Sequence, residues 1–262
     1  MDEFELIRPT TLDDALAALA NEDAQLLAGG QTLIPTMKAR LAAPATLISL
    51  TAIPELNGVH RDGNALVIGA ATTHATVARK TASDYPGLAA LAGQIGDPTV
   101  RNRGTIGGSL ANNDPSACYP AAALGSDATI ITNTREVAAR DFFDGLFETV
   151  LAENEIITHV RFPIPAAAAY SKMPQPASRF AMVGAYVARS GEGVRVAITG
   201  ASEEGVYRWT KAETALMANF SPDALTNLAV EADGMIGDIH AAPDYRAHLV
   251  GVITRRAVAA IS

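Results

Sequence analysis

Two glycine pairs, Gly29-Gly30 in LLAGGQTLIPTMKAR (residues 26–40) and Gly107-Gly108 in RNRGTIGGSLANNDP (residues 101–115), constrain this chain more than any other feature. Glycine has no Cβ, so each pair bares main-chain N–H groups and lets a second backbone or a ligand come close. Between a strand and a helix, such a pair can cradle an anion, phosphate above all. A tight turn uses the same residues, so either pair alone leaves both readings open. Neither matches the GxGxxG or the GxxxxGK(S/T) pattern, so Rossmann and P-loop folds are disfavoured and a different nucleotide-binding fold is expected.

The neighbours of the pairs narrow the ligand. Gln31 and Thr32 follow the first pair, while Thr105, Ser109, Asn112, Asn113 and Asp114 surround the second. Neutral hydrogen-bonding groups of this kind suit a polyhydroxyl chain joined to a pyrophosphate, as in FAD, better than a lone phosphate, which draws Arg or Lys. Asp114-Pro115 also fits a simple turn.

Composition removes other classes. A net charge of −8 and a pI near 5.1 do not fit a nucleic-acid-binding surface, which needs clustered cations. The chain has 48% hydrophobic and 18% charged residues over 262 positions, a globular balance with room for one large or two ordinary domains. No apolar stretch approaches the roughly 20 residues of a membrane span. The acidic start, MDEFELIRPT, has no basic region followed by an apolar core, so a cytoplasmic location is expected. With Cys118 alone, the chain can form neither an internal disulfide nor a multi-thiolate metal centre, and any iron–sulfur chemistry must come from another chain. His60, His74, His159, His240 and His248 lack metal-ligand spacing and are read as structural or surface residues.

Along the chain, TTLDDALAALA (10–20) predicts a capped helix, and QLLAG and TLISL predict strands that bracket the first glycine pair and the helical segment after it, a small β-α-β unit. GVHRDGNALVIGA predicts a hairpin at Asp62-Gly63, and TTHATVARK and PGLAALAGQI predict helices, with the second glycine pair in a long loop after them. DATIIT with REVAAR predicts another hairpin, and EIITHVRFPI a further strand. The four prolines of residues 163–178 predict an irregular linker and a domain boundary. Beyond it, FAMVGAYVAR and VRVAITGAS form a hairpin, followed by helices at SPDALTNLAVEADG and PDYRAHLVGVITRRAVAAI.

At this point AGGQTLIPTMKAR and IGDPTVRNRGTIGGSLANNDP resemble the two flavin-binding signatures of the FAD-binding medium subunit of molybdenum hydroxylases, the carbon monoxide dehydrogenase and xanthine dehydrogenase family. RFAMVGAYVA and EADGMIGDIHAAPDYRAHLVGVITRRA resemble that family's C-terminal domain, so the resemblance covers nearly the whole chain. It implies an α+β, two-subdomain FAD-binding fold of the vanillyl-alcohol oxidase type with a C-terminal antiparallel sheet plus helices. The implied divisions are residues 1–56, 57–170 and 171–262.

By the same resemblance, Ala28, Gly29, Gly30, Gln31 and Thr32, with the amides of Thr105, Ile106, Gly107, Gly108 and Ser109, would line the FAD pyrophosphate. Ile157 would pack near the isoalloxazine ring, and Lys172 would place a cation at its pyrimidine edge. The family continues DPxxDLP after the second signature, where this chain reads DPSACYP. Cys118 therefore stands where an aspartate would hold the ribityl chain, leaving Asp114, Asn112 or a backbone group to take that contact. The implied function is electron transfer from 2Fe–2S clusters of a small partner subunit through FAD to an external acceptor. A large molybdopterin-binding subunit would oxidise substrate, in a dimer of heterotrimers. A stand-alone flavin oxidase and a flavin-free scaffold are the alternatives. No acid–base constellation points to catalytic residues on this chain, and no metal site is expected.

Overall fold

The computed structural model describes residues 1–261. The first of three sheets is parallel, in the order β1-β3-β2, and is built from β1 (Glu5–Ile7), β2 (Ala24–Leu27) and β3 (Thr46–Ser49). Parallel neighbours need crossovers. Here α1 (Leu12–Leu19) joins β1 to β2, with Thr11 capping the amide of Asp14, and α2 (Leu33–Lys38) joins β2 to β3. The predicted β-α-β unit is therefore present with one more strand.

The second sheet is antiparallel, ordered β4-β5-β8-β6-β7, from β4 (Val59–Asp62), β5 (Ala65–Gly69), β6 (Thr129–Thr132), β7 (Glu136–Ala138) and β8 (Ile157–Pro163). The two predicted hairpins form, and β8 inserts between them, with Val160 opposite Ile68 on one side and Ile130 on the other. Between β5 and β6 the chain forms α3 (His74–Lys80), α4 (Pro86–Gly93), α5 (Pro98–Arg101), α6 (Ile106–Asn112) and α7 (Tyr119–Gly125). The second glycine pair thus lies in the first turn of a helix and not in a long loop. The Thr105 hydroxyl caps the amide of Gly108, and Asn113, in the left-handed region at φ 40°, ends the helix.

The third sheet is antiparallel, ordered β12-β11-β10-β9, with β9 (Ala167–Pro174), β10 (Ala181–Ser190), β11 (Gly193–Ser202) and β12 (Gly205–Arg208), followed by α8 (Thr210–Ala218) and α9 (Pro243–Ala259). β9 corrects the expected linker. Its sequence, AAAYSKMP, reads as neither strand nor helix by period, and pairing with β10 decides its state. The helix expected at SPDALTNLAVEADG reduces to one 3-10 turn at Pro222–Leu225, because Thr226 and Asn227 are weak helix formers and Leu225 is already buried under α9.

Both faces of β10 are covered, so its first eight residues are all buried and read as an unbroken apolar run. On one face Val183, Ala185 and Val187 meet Val250 and Ile253 of α9. On the other, Tyr186 packs with α7, whose residues Tyr119 to Gly125 are all buried. Small side chains let that helix come close: a Cβ on Gly125 would stand 2.9 Å from the Tyr186 ring. The first sheet keeps a separate small core of Ala15, Ile48, Leu50, Ile53 and Leu56, which reaches the second through Ala71 and Ile156.

Candidate functional site

A cavity of about 550 Å³ lies between the end of β2, the start of α6 and the β9–β10 connection. That is within the roughly 300–1,000 Å³ usual for a small-molecule or cofactor site. Of the residues predicted from sequence, Ala28, Gly29, Gly30, Gln31, Thr32, Thr105, Gly107, Gly108, Ser109, Asn112, Asp114, Cys118, Ile157 and Lys172 all line it.

The two glycine signatures touch. A Cβ on Gly29 would overlap the Arg103 carbonyl oxygen and come within 2.6 Å of Gly104 Cα, while Gly30 adopts φ 69°, which favours glycine. The Gln31 side chain folds back to donate to the Gly29 carbonyl at 3.1 Å. Among the described residues, no protein group accepts from the amides of Gly29, Gly30, Gln31 or Thr32. Four donors in a row therefore edge the cavity.

The second signature behaves differently. The Ile106 amide donates to Thr72 at 3.1 Å and the Gly107 amide to Ala70 at 2.8 Å. Ile106 buries its side chain completely in the middle core and takes no part in the wall. The expectation that these amides face a pyrophosphate is thereby corrected, since residues 104–107 use them to pair with residues 70–74, and the Gly108 and Ser109 amides, expected there too, donate to the Thr105 hydroxyl and carbonyl. A Cβ on Gly107 would lie 2.5 Å from Ala70 Cβ, so its smallness serves packing. Beyond this pairing, the wall offers Ser109, Asn112 and the Asp114 carboxylate, which accepts from the Ser116 amide at 2.8 Å and whose pKa is raised by burial.

Opposite lie Ile157, the buried first residue of β8, and Cys118, 5% exposed at the start of α7. The Lys172 ammonium is 3.6 Å from Cys118 Sγ and donates to the Gln94 and Arg179 carbonyls, both at 2.8 Å. The cation expected at the ring's pyrimidine edge thus donates to protein carbonyls.

Sequence reasoning missed three wall groups. Glu155, below Ile157, accepts from Arg135, Thr132, Thr134 and the Ala152 amide. The Arg135 guanidinium first, with the other donors, holds its carboxyl down to about 2. Phe180, 45% exposed, stands at the β9–β10 end. His74 is buried against Gly104 and the Tyr119 ring, whose centroid is 5.3 Å away. Burial, with the Arg101 charge, lowers its pKa to about 4, so it is a neutral imidazole at neutral pH. The one legible sign was Thr73 before it, a helix cap that turns His74 inward.

His74 makes stability depend on pH. The unfolded histidine protonates near 6.5 and the folded one near 4, so its contribution is complete above about 6.5 and is lost as pH falls towards about 4. A shift of this size corresponds to roughly 3 kcal/mol. His74→Gln is expected to flatten the fall in unfolding free energy between those values, measured by urea titration. An unchanged slope would contradict the burial of a neutral His74.

A family profile described as the FAD binding domain in molybdopterin dehydrogenase matches residues 2–165. The carbon monoxide dehydrogenase medium chain of Hydrogenophaga pseudoflava is 33% identical over 278 residues, spanning 97% of this chain and 96% of that one. The nicotine 6-hydroxylase medium subunit of Paenarthrobacter nicotinovorans is 32% identical, spanning 95% and 94%. Among solved structures, a chain of quinoline 2-oxidoreductase from Pseudomonas putida 86 superposes with a TM-score of 0.89 at 28% identity over 99% of this chain and 97% of that one.

Proposed function

The chain belongs to the FAD-binding medium-subunit family of the molybdenum hydroxylases, and on that premise we propose that it holds one FAD noncovalently in this cavity as the electron-transfer subunit of a molybdenum-containing hydroxylase or dehydrogenase complex. The observation that carries the reading is the row of unaccepted amides from Gly29 to Thr32, which fits a pyrophosphate and no neutral apolar ligand. These amides would hold the pyrophosphate oxygens. Ser109, Asn112 and Asp114 would meet the sugar hydroxyls, with Asp114 taking up the contact that the thiol of Cys118 makes poorly. Ile157 would pack against the ring and keep water from it.

When bound, FAD accepts electrons singly or in pairs and gives them up to a second partner. The protein supplies position and electrostatics. Of the titratable groups in the wall, Glu155 is saturated by its donors, Lys172 donates to two carbonyls, His74 is enclosed, and Asp114 and Cys118 stand where the sugar hydroxyls would lie, so none is left to move a proton for an organic substrate. That supports the electron-transfer role over a stand-alone oxidase.

In this reading residues 1–56 and 57–170 hold the nucleotide and 171–262 form the third domain, with its sheet starting at Ala167. A small subunit with 2Fe–2S clusters delivers electrons, a large molybdopterin-binding subunit oxidises substrate, and the whole is a cytoplasmic dimer of heterotrimers. Among the described residues no helix is long and apolar enough to cross a membrane.

The native complex, purified through this chain, is expected to contain molybdenum, iron and FAD, and acid precipitation should release the yellow colour into the supernatant. Colour left in the pellet would refute noncovalent binding. Absence of molybdenum from an otherwise intact complex would refute the partner assignment.

A further inference from the structure

The β9–β10 connection, residues 175–180, forms one end of the cavity through Ser178, Arg179 and Phe180. It is bonded mainly to itself. Gln175 donates to Phe180 O at 2.8 Å, Arg179 to Gln175 O at 2.9 Å, and the Ser178 hydroxyl to Gln175 Oε1 at 2.9 Å, while Arg179 holds a strained φ of 63°. Among the described residues, the single hydrogen bond reaching this loop from outside it comes from Lys172 to the Arg179 carbonyl.

The same ammonium donates to the Gln94 carbonyl, at the end of α4, and lies against Cys118 Sγ at the start of α7. A lysine has three N–H donors, and here each has one acceptor, on three separate segments beside the cavity. Two of its donors are thus taken by carbonyls at 2.8 Å, and the third faces the thiol sulfur.

We propose that Lys172 is a positioning residue: it pins the 175–180 loop to α4 and α7 and so fixes one end of the cavity, instead of presenting its charge to the flavin ring. The inference rests on the proposed FAD site for what the cavity contains, but the pinning itself is a property of the chain without ligand. Cys118 enters as an acceptor for Lys172. An aspartate there would accept from the same ammonium more strongly.

The test uses the full chain and trypsin, which cuts after Arg179 when the loop opens. Lys172→Met, which keeps the stem and removes the donors, is expected to raise the rate of that cut in the flavin-free chain by about tenfold, the worth of one charge-assisted hydrogen bond. Apart from the bond after residue 172, which the substitution itself removes, cleavage at other Lys and Arg bonds should not change. FAD dissociation should quicken by a similar factor and iodide should quench flavin fluorescence better, while the flavin midpoint potential stays at the wild-type value. Lys172→Arg is expected to restore part of the protection, and Cys118→Asp to match or exceed the wild type.

Uniformly faster cleavage along the chain would reduce Lys172 to a general stabiliser and overturn the proposal. A changed potential with an unchanged Arg179 cut would show the charge facing the flavin, and would overturn it too. If wild type takes up no FAD, the proposed function fails, and the trypsin arm still decides the role of Lys172.

Discussion

Gly29→Val is expected to cost this chain at least about 100-fold in FAD affinity while leaving it folded. The new Cβ would overlap the Arg103 carbonyl oxygen and crowd Gly104 Cα at 2.6 Å, and both obstacles are backbone, which no rotamer change can move. The first signature must then withdraw from the second, carrying the amides of Gly29 to Thr32 out of line. Losing two charge-assisted hydrogen bonds of about 1.5–3 kcal/mol each accounts for a factor of about 100 or more. The C-terminal core, far from this contact, should keep its circular dichroism and its own unfolding transition. Gly93→Ala is the matched control: Gly93 ends α4 with nothing within 4 Å of an added Cβ, so flavin affinity should stay at the wild-type value. Wild-type affinity in Gly29→Val would remove the first signature from the site.

The second large effect is expected from Arg246→Met in α9. Arg246 is 1% exposed, with Nη1 donating to the carbonyls of Met182 and Gly200 at 2.5 and 2.6 Å and Nη2 to Asp238 at 2.7 Å. Those carbonyls are free because register shifts in β10 and β11 take Met182 and Gly200 out of the ladder. Methionine fills the space and leaves two buried acceptors and one carboxylate without their partner, a loss of about 3–5 kcal/mol. For a chain of this size the melting temperature should fall by roughly 6–15 °C. Flavin binding should weaken secondarily, since Gly200 and Thr199 also bond Pro115 and Ala117, which lead into Cys118. A melting temperature within about 2 °C of wild type would show that another group satisfies these carbonyls.

Much of the site was legible because its signals are local. The apolar run before Gly29, Thr105 three residues before Gly108, and the hairpin at Asp62 each act within a few residues, and each forms. What the glycines are small for was not legible. Gly107 makes room for Ala70, and the Ile106 and Gly107 amides bind Thr72 and Ala70, segments that a local reading does not bring together. Lys172 was hidden for the same reason: its acceptors, Gln94 and Arg179, are backbone carbonyls, which leave no mark in a side-chain pattern. β9 escaped because alanines between prolines carry no period, and β10, buried on both faces, read as a strand only through its length and β-branched residues.

The central claim is that the cavity is built for the pyrophosphate of FAD, and a fluorescence titration of the flavin-free chain with FAD and with riboflavin tests it most directly. The account predicts saturable binding of one FAD per chain, with riboflavin, which lacks the pyrophosphate, bound at least about 100-fold more weakly. Equal affinity for the two, or no saturable binding of FAD by a folded chain, would contradict it.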